Sequence, residues 1–580
     1  MIKVLSYLKE IKSDVIKSVI FVTASQLSSL SLPLLMSFII NNGIANADME
    51  YIKKIGLLMG FLSAFHVVIS GVNSYYTSKA SGLYAKSLRE RIFSKVETLS
   101  RSDIDKVGTA SLITRSTSDV KVLQDFVLMS LRMIIAVPIM LLGGTFMAFF
   151  LNARLALVIF AIIPIIALIA FIVVKKVIPL FRKRQKLTDE INRFLRQKLS
   201  GIRVIRAFNT TEKEDSFFSG KNKELSALVL KFQQIMAVLL PVCTVLIILA
   251  LDILIYIAVR NIDKMTDAVK IQSTVGDLQA FVIYMIMIIA AVTMAAAMFV
   301  IVPRANISAK RIGEILALEP TIRDKEETVS FDENKKGEIE FKNVSFTYGD
   351  GKTVLSDISF KAESGKVTAL IGPTGSGKST VINLISRFYD VTDGVILFDG
   401  ADVRDVRQKE LLSKIGYVPQ KAWLFSGSIE DNLRYGDENA SEERLSLALD
   451  ISQSSEFVSK MPHGIKSFIT QSATNLSGGQ KQRLSIARAL VRDAEVYIFD
   501  DSFSALDFKT DAKLRKALSE NIDATVIIVA QRVGTIMNAD KILVLDDGKI
   551  VGEGSHEELM KSCPAYKEIA VSQLSKEAAI

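Results

Sequence analysis

The chain has 580 residues, of which 49% are hydrophobic and 23% charged, and its formal net charge is +9. Its mean hydropathy of +0.32 is high for a wholly water-soluble protein, and its length exceeds that of one compact domain. We therefore expect a membrane part joined to a soluble part. Two cysteines, Cys243 and Cys563, exclude a disulfide framework. Cytoplasmic loops explain the positive charge, and no nucleic acid is expected as a partner.

Six stretches in the first half of the chain are apolar and long enough to cross a bilayer, which takes about 20 residues. The long gap after the second stretch holds nine basic residues, from Lys79 to Lys121, whereas the short gap after the third offers only Arg154. The positive-inside rule therefore places the N-terminus, both long gaps and everything after residue 303 in the cytoplasm. The six stretches lie near residues 17–40, 55–77, 131–151, 155–174, 236–259 and 278–302.

Both long gaps, after the second and fourth stretches, have apolar residues three and four apart, as helices with one polar face do. We expect the membrane helices to continue into the cytoplasm as hairpins, with tips around residues 101–106 and 207–214. Two ordinary solvated loops are the alternative.

Three features of the spans bear on what they bind. Asp252, inside the fifth span, is costly there unless paired or wetted, and it predicts either a cationic substrate or a structural pair. His66 is expected to be a hydrogen-bonded packing residue. The sixth span is rich in methionine and aromatic residues, which suit varied apolar ligands but equally serve helix packing and lipid contact.

Short β-rich runs such as IEFKNVSFTY and KVTALIG alternate with helical segments after a linker of mixed charge. That alternation predicts an α/β domain with a largely parallel sheet. We therefore divide the chain into an α-helical membrane domain of six transmembrane helices over residues 1–319, a linker over 320–336 and an α/β domain over 337–580.

The stretch KVTALIGPTGSGKSTVINLISRFY predicts a strand, a glycine-rich loop and a helix. Glycines let backbone N–H groups close around phosphates, and the helix N-terminus adds its positive dipole end. We expect Lys378 to reach the β- and γ-phosphates of a nucleoside triphosphate, and the Ser379 hydroxyl to bind Mg²⁺. The loop fits the P-loop pattern G-x-x-x-x-G-K-[ST] with Gly372, Pro373, Thr374, Gly375, Ser376, Gly377, Lys378, Ser379 and Thr380.

Two further segments complete the phosphate chemistry. The strand VYIFD delivers Asp500 to the neighbouring strand edge, where its carboxylate is expected to hold Mg²⁺ through water. A basic helix that begins within NLSGGQKQRLSIARAL forms a second site that presents N–H groups to an anion. Its first residues are Ser477, Gly478, Gly479 and Gln480.

These motifs together resemble the nucleotide-binding domain of ABC transporters, in which LSGGQ (residues 476–480) lies between a P-loop and a strand like VYIFD. Six spans fused in front of that domain resemble an ABC exporter half-transporter, and the resemblance covers nearly the whole chain. It implies ATP and Mg²⁺ as cofactors, and a multi-pass protein of the bacterial inner or plasma membrane. It also implies that two such domains pair head to tail, so that the P-loop of one and the signature loop of the other enclose each ATP.

The same resemblance assigns roles to single residues. Tyr348 matches the aromatic residue that stacks on adenine, although a structural tyrosine at the end of a strand is the alternative. Gln420 matches the glutamine that contacts Mg²⁺ beside the coupling helices, and Trp423 nearby is expected to pack. Asp507 matches the loop that crosses to the partner domain, and the two hairpin tips resemble the intracellular loops that dock on the nucleotide-binding domains.

Two positions depart from the family pattern at the point where hydrolysis takes place. The residue after the magnesium aspartate is usually a glutamate that polarises the attacking water, but here it is Asp501. Its carboxylate sits about 1.5 Å further back, and a general base needs hydrogen-bond reach. Gln531 replaces the switch histidine, and an amide cannot accept and return a proton as imidazole does. Gln471 and Ala473 also replace the usual glutamate and glycine before the signature loop.

We therefore predict the degenerate-site half of a heterodimeric exporter, similar to bacterial heterodimers with one degenerate and one consensus site. This chain binds ATP and hydrolyses it weakly, while a consensus-site partner chain supplies the main catalytic glutamate. Amphipathic drugs, lipids or peptides are the expected substrates, moved outward by alternating access. A slow homodimeric exporter or lipid flippase and an ATP-gated regulatory membrane protein are the alternatives. The six spans exclude a soluble ABC protein.

Overall fold

The computed structural model describes residues 2–263, 268–349 and 351–577. These residues form two compact units. The first comprises the chain up to Thr98 together with Val107–Leu318, and the second comprises Leu99–Lys106 together with the chain from Glu319 onward. The segment Leu99–Lys106, which includes one predicted hairpin tip, therefore groups with the second unit although its flanking residues belong to the first.

The first unit is built from long helices. The second of these, α2, begins after Asp48, whose carboxylate accepts hydrogen bonds from the backbone N–H groups of Glu50 and Tyr51 and so satisfies two donors that the helix leaves free. The helices, including the short α3 of the second unit, are α1 (Lys12–Phe38), α2 (Met49–Glu97), α3 (Arg101–Val107), α4 (Val120–Pro138), α5 (Gly144–Leu151), α6 (Ala153–Ser200), α7 (Thr211–Asp263) and α8 (Ala268–Ala317). Short helical turns cover Ile2–Leu5, Ser6–Ile11, Thr109–Thr114 and Ile202–Ala207, and π-helical turns cover Ile39–Ile44, Arg115–Asp119 and Ile139–Gly143.

Five helical stretches in the described residues are long and apolar enough to cross a membrane, and each overlaps one of the predicted spans. The remaining prediction, residues 236–259, falls within α7, where the described residues include a shorter apolar stretch, Thr244–Ile257. Several side chains of that span lie outside the described set, so the fifth span stays a prediction. The five stretches are Ser6–Ile44, Met49–Glu97, Thr109–Leu151, Leu155–Ser200 and Val275–Ala295.

Some polar and aromatic residues of the spans are buried within the first unit, whereas others are exposed. Phe281, Tyr284 and Met285 of the sixth span are fully buried, and the Tyr284 hydroxyl donates to the Leu30 carbonyl at 2.8 Å. His66 Nδ1 lies 2.9 Å from the Ser25 carbonyl, which confirms its prediction as a hydrogen-bonded packing residue. Because buried polar groups need partners in an apolar medium, these bonds fix helix register.

The described residues of the second unit form three sheets. A six-stranded sheet has the order β12-β11-β3-β10-β9-β6, in which β11, β3, β10, β9 and β6 are parallel and β12 pairs antiparallel with β11. An antiparallel sheet has the order β2-β1-β4-β5, and β7 pairs with β8. The strands are β1 (Ile339–Thr347), β2 (Thr353–Ala362), β3 (Val367–Ile371), β4 (Asp393–Phe398), β5 (Ala401–Asp402), β6 (Ile415–Val418), β7 (Gly427–Ser428), β8 (Phe468–Ile469), β9 (Val496–Asp500), β10 (Thr525–Val529), β11 (Lys541–Asp546) and β12 (Lys549–Gly554).

Helices cover the parallel sheet. Its central strands β9 (VYIFD) and β10 (TVIIV) are buried along their whole length, as is typical of apolar strands in a sheet that is covered on both faces. Its helices are α9 (Lys378–Ile385), α10 (Gln408–Ser413), α11 (Ile429–Arg434), α12 (Glu442–Ile451), α13 (Ser455–Ser459), α14 (Gly478–Val491), α15 (Phe508–Asn521), α16 (Val533–Ile536), α17 (His556–Ser562) and α18 (Pro564–Glu577).

Strand register aligns the carboxyl ends of four neighbouring strands. Val529 of β10 pairs with Leu370 of β3 on one side and with Asp500 of β9 on the other, while Val418 of β6 pairs with Phe499 of β9. Ligands bind at the carboxyl edge of such sheets because the loops that follow the strands converge there.

Candidate nucleotide-binding and hydrolysis site

A cavity of about 280 Å³ opens at this carboxyl edge. The P-loop after β3 forms one wall, and Gln420 after β6, Asp500 and Asp501 at β9, and Gln531 after β10 form the others. Residues that the sequence places far apart are thus brought together because the four strands lie side by side.

The P-loop turns into α9 at Gly377. This residue has φ of +101°, and a Cβ atom there would lie 2.5 Å from Leu355 Cδ2, so only glycine fits. Lys378 Nζ donates to the carbonyls of Gly372 at 2.9 Å and Pro373 at 2.8 Å. Burial lowers the pKa of Lys378, although Asp501 and Asp500 oppose that shift. In the described residues the ammonium is held by neutral groups of its own loop, which leaves its charge for an anion.

Tyr348 lies beside the P-loop. Its hydroxyl is 3.2 Å from Thr380 Oγ1, and its ring meets that of Tyr389 edge-on with centroids 5.1 Å apart. The side chain remains 38% exposed. The Tyr348 ring is thus held by its hydroxyl and by the edge-on contact with Tyr389, while part of the side chain stays exposed. An exposed aromatic ring of this kind can stack against a planar base.

Asp500 has the surroundings of a magnesium ligand. Its Oδ1 accepts a hydrogen bond from Ser379 Oγ at 3.4 Å, so a hydroxyl and a carboxylate oxygen face the same space. Burial raises the pKa of Asp500 to about 6, with a further upward effect from Asp501, while Ser379 and Lys378 act in the opposite direction. Two buried carboxylates beside a single ammonium favour a hard divalent cation with oxygen ligands, so the residues present fit Mg²⁺.

The Asp501 carboxylate is held between two amides. Its Oδ2 accepts from Gln531 Nε2 at 2.7 Å and from Gln420 Nε2 at 3.2 Å. The backbone at Asp501 has φ of +47°, a left-handed conformation that aspartate tolerates better than most residues. Burial raises the pKa of Asp501, against the hydrogen bond from Gln420. The geometry leaves this carboxylate short and already engaged by two donors.

Gln531 is fixed in turn by Gln573, a residue that sequence reasoning missed. Gln573 Nε2 donates to the Gln531 carbonyl at 2.8 Å, and its Oε1 accepts from the Val533 backbone at 2.8 Å. No motif marks Gln573, because its role depends only on where α18 packs.

The signature residues Ser477–Gln480 stand apart from this cavity. They begin α14 as a capping box, in which Ser477 Oγ accepts from the Gln480 backbone at 3.3 Å and Gln480 Oε1 accepts from the Ser477 backbone at 2.8 Å. Ser477 and Gly478 are exposed, and no residue of the set lines the cavity. Asp507, at the start of α15, likewise caps a helix by accepting from the Thr510 backbone at 3.0 Å.

The segment Leu99–Lys106 contacts the rest of the second unit close to Tyr348. Asp103 accepts from the backbone N–H of Thr321 at 2.9 Å and from its hydroxyl. Although burial opposes it, hydrogen bonds from Thr321 and Ser100 hold the pKa of Asp103 below its usual range. Tyr389, whose ring meets Tyr348, donates to Asp105 at 3.4 Å. Tyr389 carries no motif that would mark it in the sequence.

Trp423 was expected to pack, but its side chain is 55% exposed, so this prediction is wrong. The loop is held through its backbone instead, because Arg488 donates a hydrogen bond to the Trp423 carbonyl at 2.9 Å. Ala473 has φ of +52°, a backbone conformation that favours glycine. Alanine at this position, where the family usually has glycine, is therefore conformationally unfavourable.

Comparison with known proteins identifies the chain. Residues 15–292 match the family of the ABC transporter transmembrane region, and residues 355–504 match the ABC transporter family. The chain is 38% identical over 554 residues to an uncharacterized ABC transporter ATP-binding protein of Mycobacterium tuberculosis, covering 95% of this chain and 94% of that protein. It is 35% identical over 576 residues to the uncharacterized ABC transporter ATP-binding protein YfiB of Bacillus subtilis, covering 99% of each.

Two further similarities extend the comparison. The chain is 30% identical over 570 residues to a protein of Vibrio vulnificus named ATP-dependent lipid A-core flippase, covering 97% of this chain and 96% of that protein. A solved structure of a bacterial Atm1-family ABC exporter with ATP bound shares the fold, with a TM-score of 0.79 at 22% identity over 98% of this chain and 99% of the other.

The chain therefore belongs to the ABC transporter family. It is an ATP-hydrolysing half-transporter in which a helical transmembrane domain is fused to an α/β nucleotide-binding domain. The predicted fold class and the predicted ATP-hydrolysing class of transporter are confirmed.

Proposed function

We propose that this chain is the degenerate-site half of a heterodimeric exporter in the cell membrane of a bacterium. The N-terminus and the nucleotide-binding domain lie in the cytoplasm, as the basic long gaps favour. The partner is a half-transporter whose own Walker site carries glutamate. ATP binding closes the two nucleotide-binding domains, and hydrolysis at the partner's site resets them.

ATP and Mg²⁺ bind at the cavity described above. Lys378 and the P-loop backbone hold the phosphates, Ser379 and Asp500 hold the cation with Gln420 nearby, and Tyr348 stacks on the base. When bound, Mg²⁺ neutralises the charge that develops on the transferred phosphoryl group. This chain's own residues position the nucleotide and exclude water around it.

The observation that carries the degenerate-site proposal is the state of Asp501. Both Gln531 and Gln420 donate to its Oδ2. Both donors occupy the oxygen that would have to face the attacking water, although burial raises the pKa of Asp501 overall, and the short side chain removes reach that a general base needs. Neither amide can take up a proton in its place.

The exposed signature loop supports pairing with a second chain. Ser477 and Gly478 present the N-terminus of a 14-residue helix to solvent, and such a terminus attracts phosphate oxygens. The chain's own P-loop cavity does not include them. The intact loop would serve an ATP held by the P-loop of the partner.

For the substrate we propose amphipathic molecules, including drugs, lipids and peptides. The relative from Vibrio vulnificus is named a lipid A-core flippase and matches nearly the full chain, which supports a lipid among them. Asp252 is exposed and has no ion-pair partner among the described residues, which favours its contact with a cationic substrate or with another chain over a structural pair within this one.

An asymmetric pair of variants tests this proposal. The chain is co-purified with a half-transporter that has glutamate after its Walker B aspartate, and Mg-ATP turnover of the pair is measured in lipid nanodiscs. D501N should leave turnover within about twofold, whereas S477R, which blocks the signature loop, should reduce it by about 100-fold or more because it acts on the partner's ATP. Loss of turnover in D501N, with ATP binding intact, would favour a homodimeric exporter. Turnover that transport substrates do not change would favour an ATP-gated regulatory protein.

A further inference from the structure

A glutamine of the C-terminal helix α18 holds the loop that carries Gln531. Gln573 Nε2 donates to the Gln531 carbonyl at 2.8 Å, and Gln573 Oε1 accepts from the Val533 backbone N–H at 2.8 Å. One side chain therefore binds the backbone on both sides of Arg532. We call this pair of hydrogen bonds the glutamine brace.

The glutamine brace does the work of a helix cap. Val533 begins the short helix α16, and the N-cap residue Arg532 makes no side-chain cap hydrogen bond. Val533 is fully buried, so its N–H would lose its partner inside the domain if the Gln573 amide were removed. Because an unpaired buried N–H is costly, the folded domain favours the brace.

The helix that carries Gln573 is itself fixed to the domain core. Tyr566 and Ala570 of α18 are fully buried, and the Tyr566 hydroxyl lies 2.7 Å from His556 Nδ1 of α17. Ala570 follows Tyr566 by four residues and Gln573 follows Ala570 by three, so the three side chains lie on one face of the helix. The packing of α18 therefore sets the position of the brace.

The Gln531 side chain depends on this support because it is exposed and packing does not fix its direction. It lines the nucleotide cavity together with Lys378 of the P-loop, and its Nε2 donates to Asp501 Oδ2 at 2.7 Å. A primary amide has two N–H donors, so the second can donate to a phosphate oxygen in the cavity.

The phosphate nearest to Gln531 in the proposed site is the γ-phosphate. Lys378 reaches the β- and γ-phosphates there, and Asp501 stands where the water that attacks the γ-phosphate is held. ATP has this phosphate and ADP lacks it. A hydrogen bond from the Gln531 carboxamide to it would therefore strengthen the binding of ATP but not that of ADP.

We propose that Gln573 is a positioning residue of the nucleotide site. By holding the backbone at Gln531, it directs the Gln531 carboxamide toward the γ-phosphate and so favours ATP over ADP. Gln573 does not line the cavity and acts only through Gln531. The inference rests on the proposed nucleotide site, but not on how fast Asp501 supports hydrolysis or on a partner chain.

Nucleotide binding to the full-length chain in lipid nanodiscs tests the inference. The probes are Mg-ADP and the Mg²⁺ complex of the β,γ-imido analogue of ATP, which is not hydrolysed, and the quantity compared is the ratio of their dissociation constants, ADP over analogue. Q531A should lower this ratio about 10-fold through the loss of one hydrogen bond to a charged group. Q573M should lower it about fivefold and leave ADP binding within about twofold, because it loosens the carboxamide without removing it.

Further variants separate positioning from stability. Q573M/Q531A should lower the ratio no further than Q531A does, because the brace acts through Gln531. S572A is the matched control: it removes an exposed polar group from the same helix, and it should leave the ratio unchanged. If Q573M fails to fold, Q573E decides, because its carboxylate still accepts from the Val533 N–H but cannot donate to the Gln531 carbonyl; it should also lower the ratio.

Several results would overturn the inference. An unchanged ratio in Q573M, or losses that add in the double variant, would show that Gln573 does not act through Gln531. Equal weakening of both nucleotides would mean that Gln573 only stabilises the domain. An unchanged ratio in Q531A would show that the carboxamide does not reach the γ-phosphate. If the unchanged chain bound neither nucleotide, the proposed nucleotide site would be refuted, and the inference with it.

Discussion

Lengthening the side chain at position 501 should restore hydrolysis. Asp501 ends about one C–C bond, ~1.5 Å, short of where a glutamate carboxylate would lie. Its Oδ2 is drawn toward Gln531 Nε2 at 2.7 Å and Gln420 Nε2 at 3.2 Å. Asp501→Glu extends the carboxylate past these two amides toward the space beside the P-loop.

The size of the effect follows from the reach of a general base. A positioned base contributes about 10²–10⁴-fold, and the short aspartate retains part of that. We expect D501E to raise kcat about 10- to 100-fold, equivalent to about 1.4–2.7 kcal/mol of activation free energy. Because φ at this position is +47°, glutamate should also cost up to ~1 kcal/mol of domain stability.

The assay is phosphate release at saturating Mg-ATP by the chain in lipid nanodiscs, with ATP binding measured on the same samples. D501N is the matched control, since an amide of the same size cannot act as a base and should remove the residual turnover. If D501E folds, binds ATP and yet turns over no faster than the unchanged chain, side-chain length does not limit hydrolysis and the reasoning fails.

Three further predictions concern other residues of the nucleotide-binding domain. Gln531→His should raise turnover several-fold in a D501E background and little on its own, because a proton acceptor helps only when the base reaches the water; equal gains in both backgrounds would contradict this. Tyr348→Ala should weaken ATP binding about 5- to 160-fold by removing a stack worth about 1–3 kcal/mol, while Tyr348→Phe keeps it, as isothermal titration would show. Burial and the neighbouring Glu495 raise the pKa of Asp399 to about 7, against the pull of Lys414, so its contribution to stability is present at acidic pH and is lost as pH rises through 7. Asp399→Asn should flatten the fall in thermal midpoint between about pH 4 and 7, and an unchanged slope would refute that assignment.

The phosphate-binding residues were predictable because each belongs to a short motif of consecutive residues. The P-loop and the strand that ends in Asp500 can each be predicted from a short sequence pattern. Parallel strands place their carboxyl ends at one edge of the sheet, so the two segments are expected to lie close together. Asp501 and Gln531 were singled out as departures from a family pattern. Their contact at 2.7 Å depends on the neighbouring positions of β9 and β10, which spacing does not specify.

Other contacts had no sequence signal because they join distant residues across packed elements. Gln573 supports Gln531 from α18, and Asp103 reaches Thr321 across 218 positions. Arg304 of α8 lies over the Phe181 ring of α6, a contact that no period along a single helix reveals. The burial of Phe281 and Met285 likewise assigns these two side chains to packing, whereas Met294 of the same span is exposed; composition cannot make that distinction.

Turnover by this chain alone tests the central claim most directly. The full chain is purified without any partner into lipid nanodiscs, and Mg-ATP binding and hydrolysis are measured together. The degenerate-site account predicts ATP binding with negligible hydrolysis, and recovery of hydrolysis when a consensus-site half-transporter is added. Brisk hydrolysis by the chain alone would show that Asp501 reaches the attacking water, and it would contradict the account in favour of a homodimeric exporter.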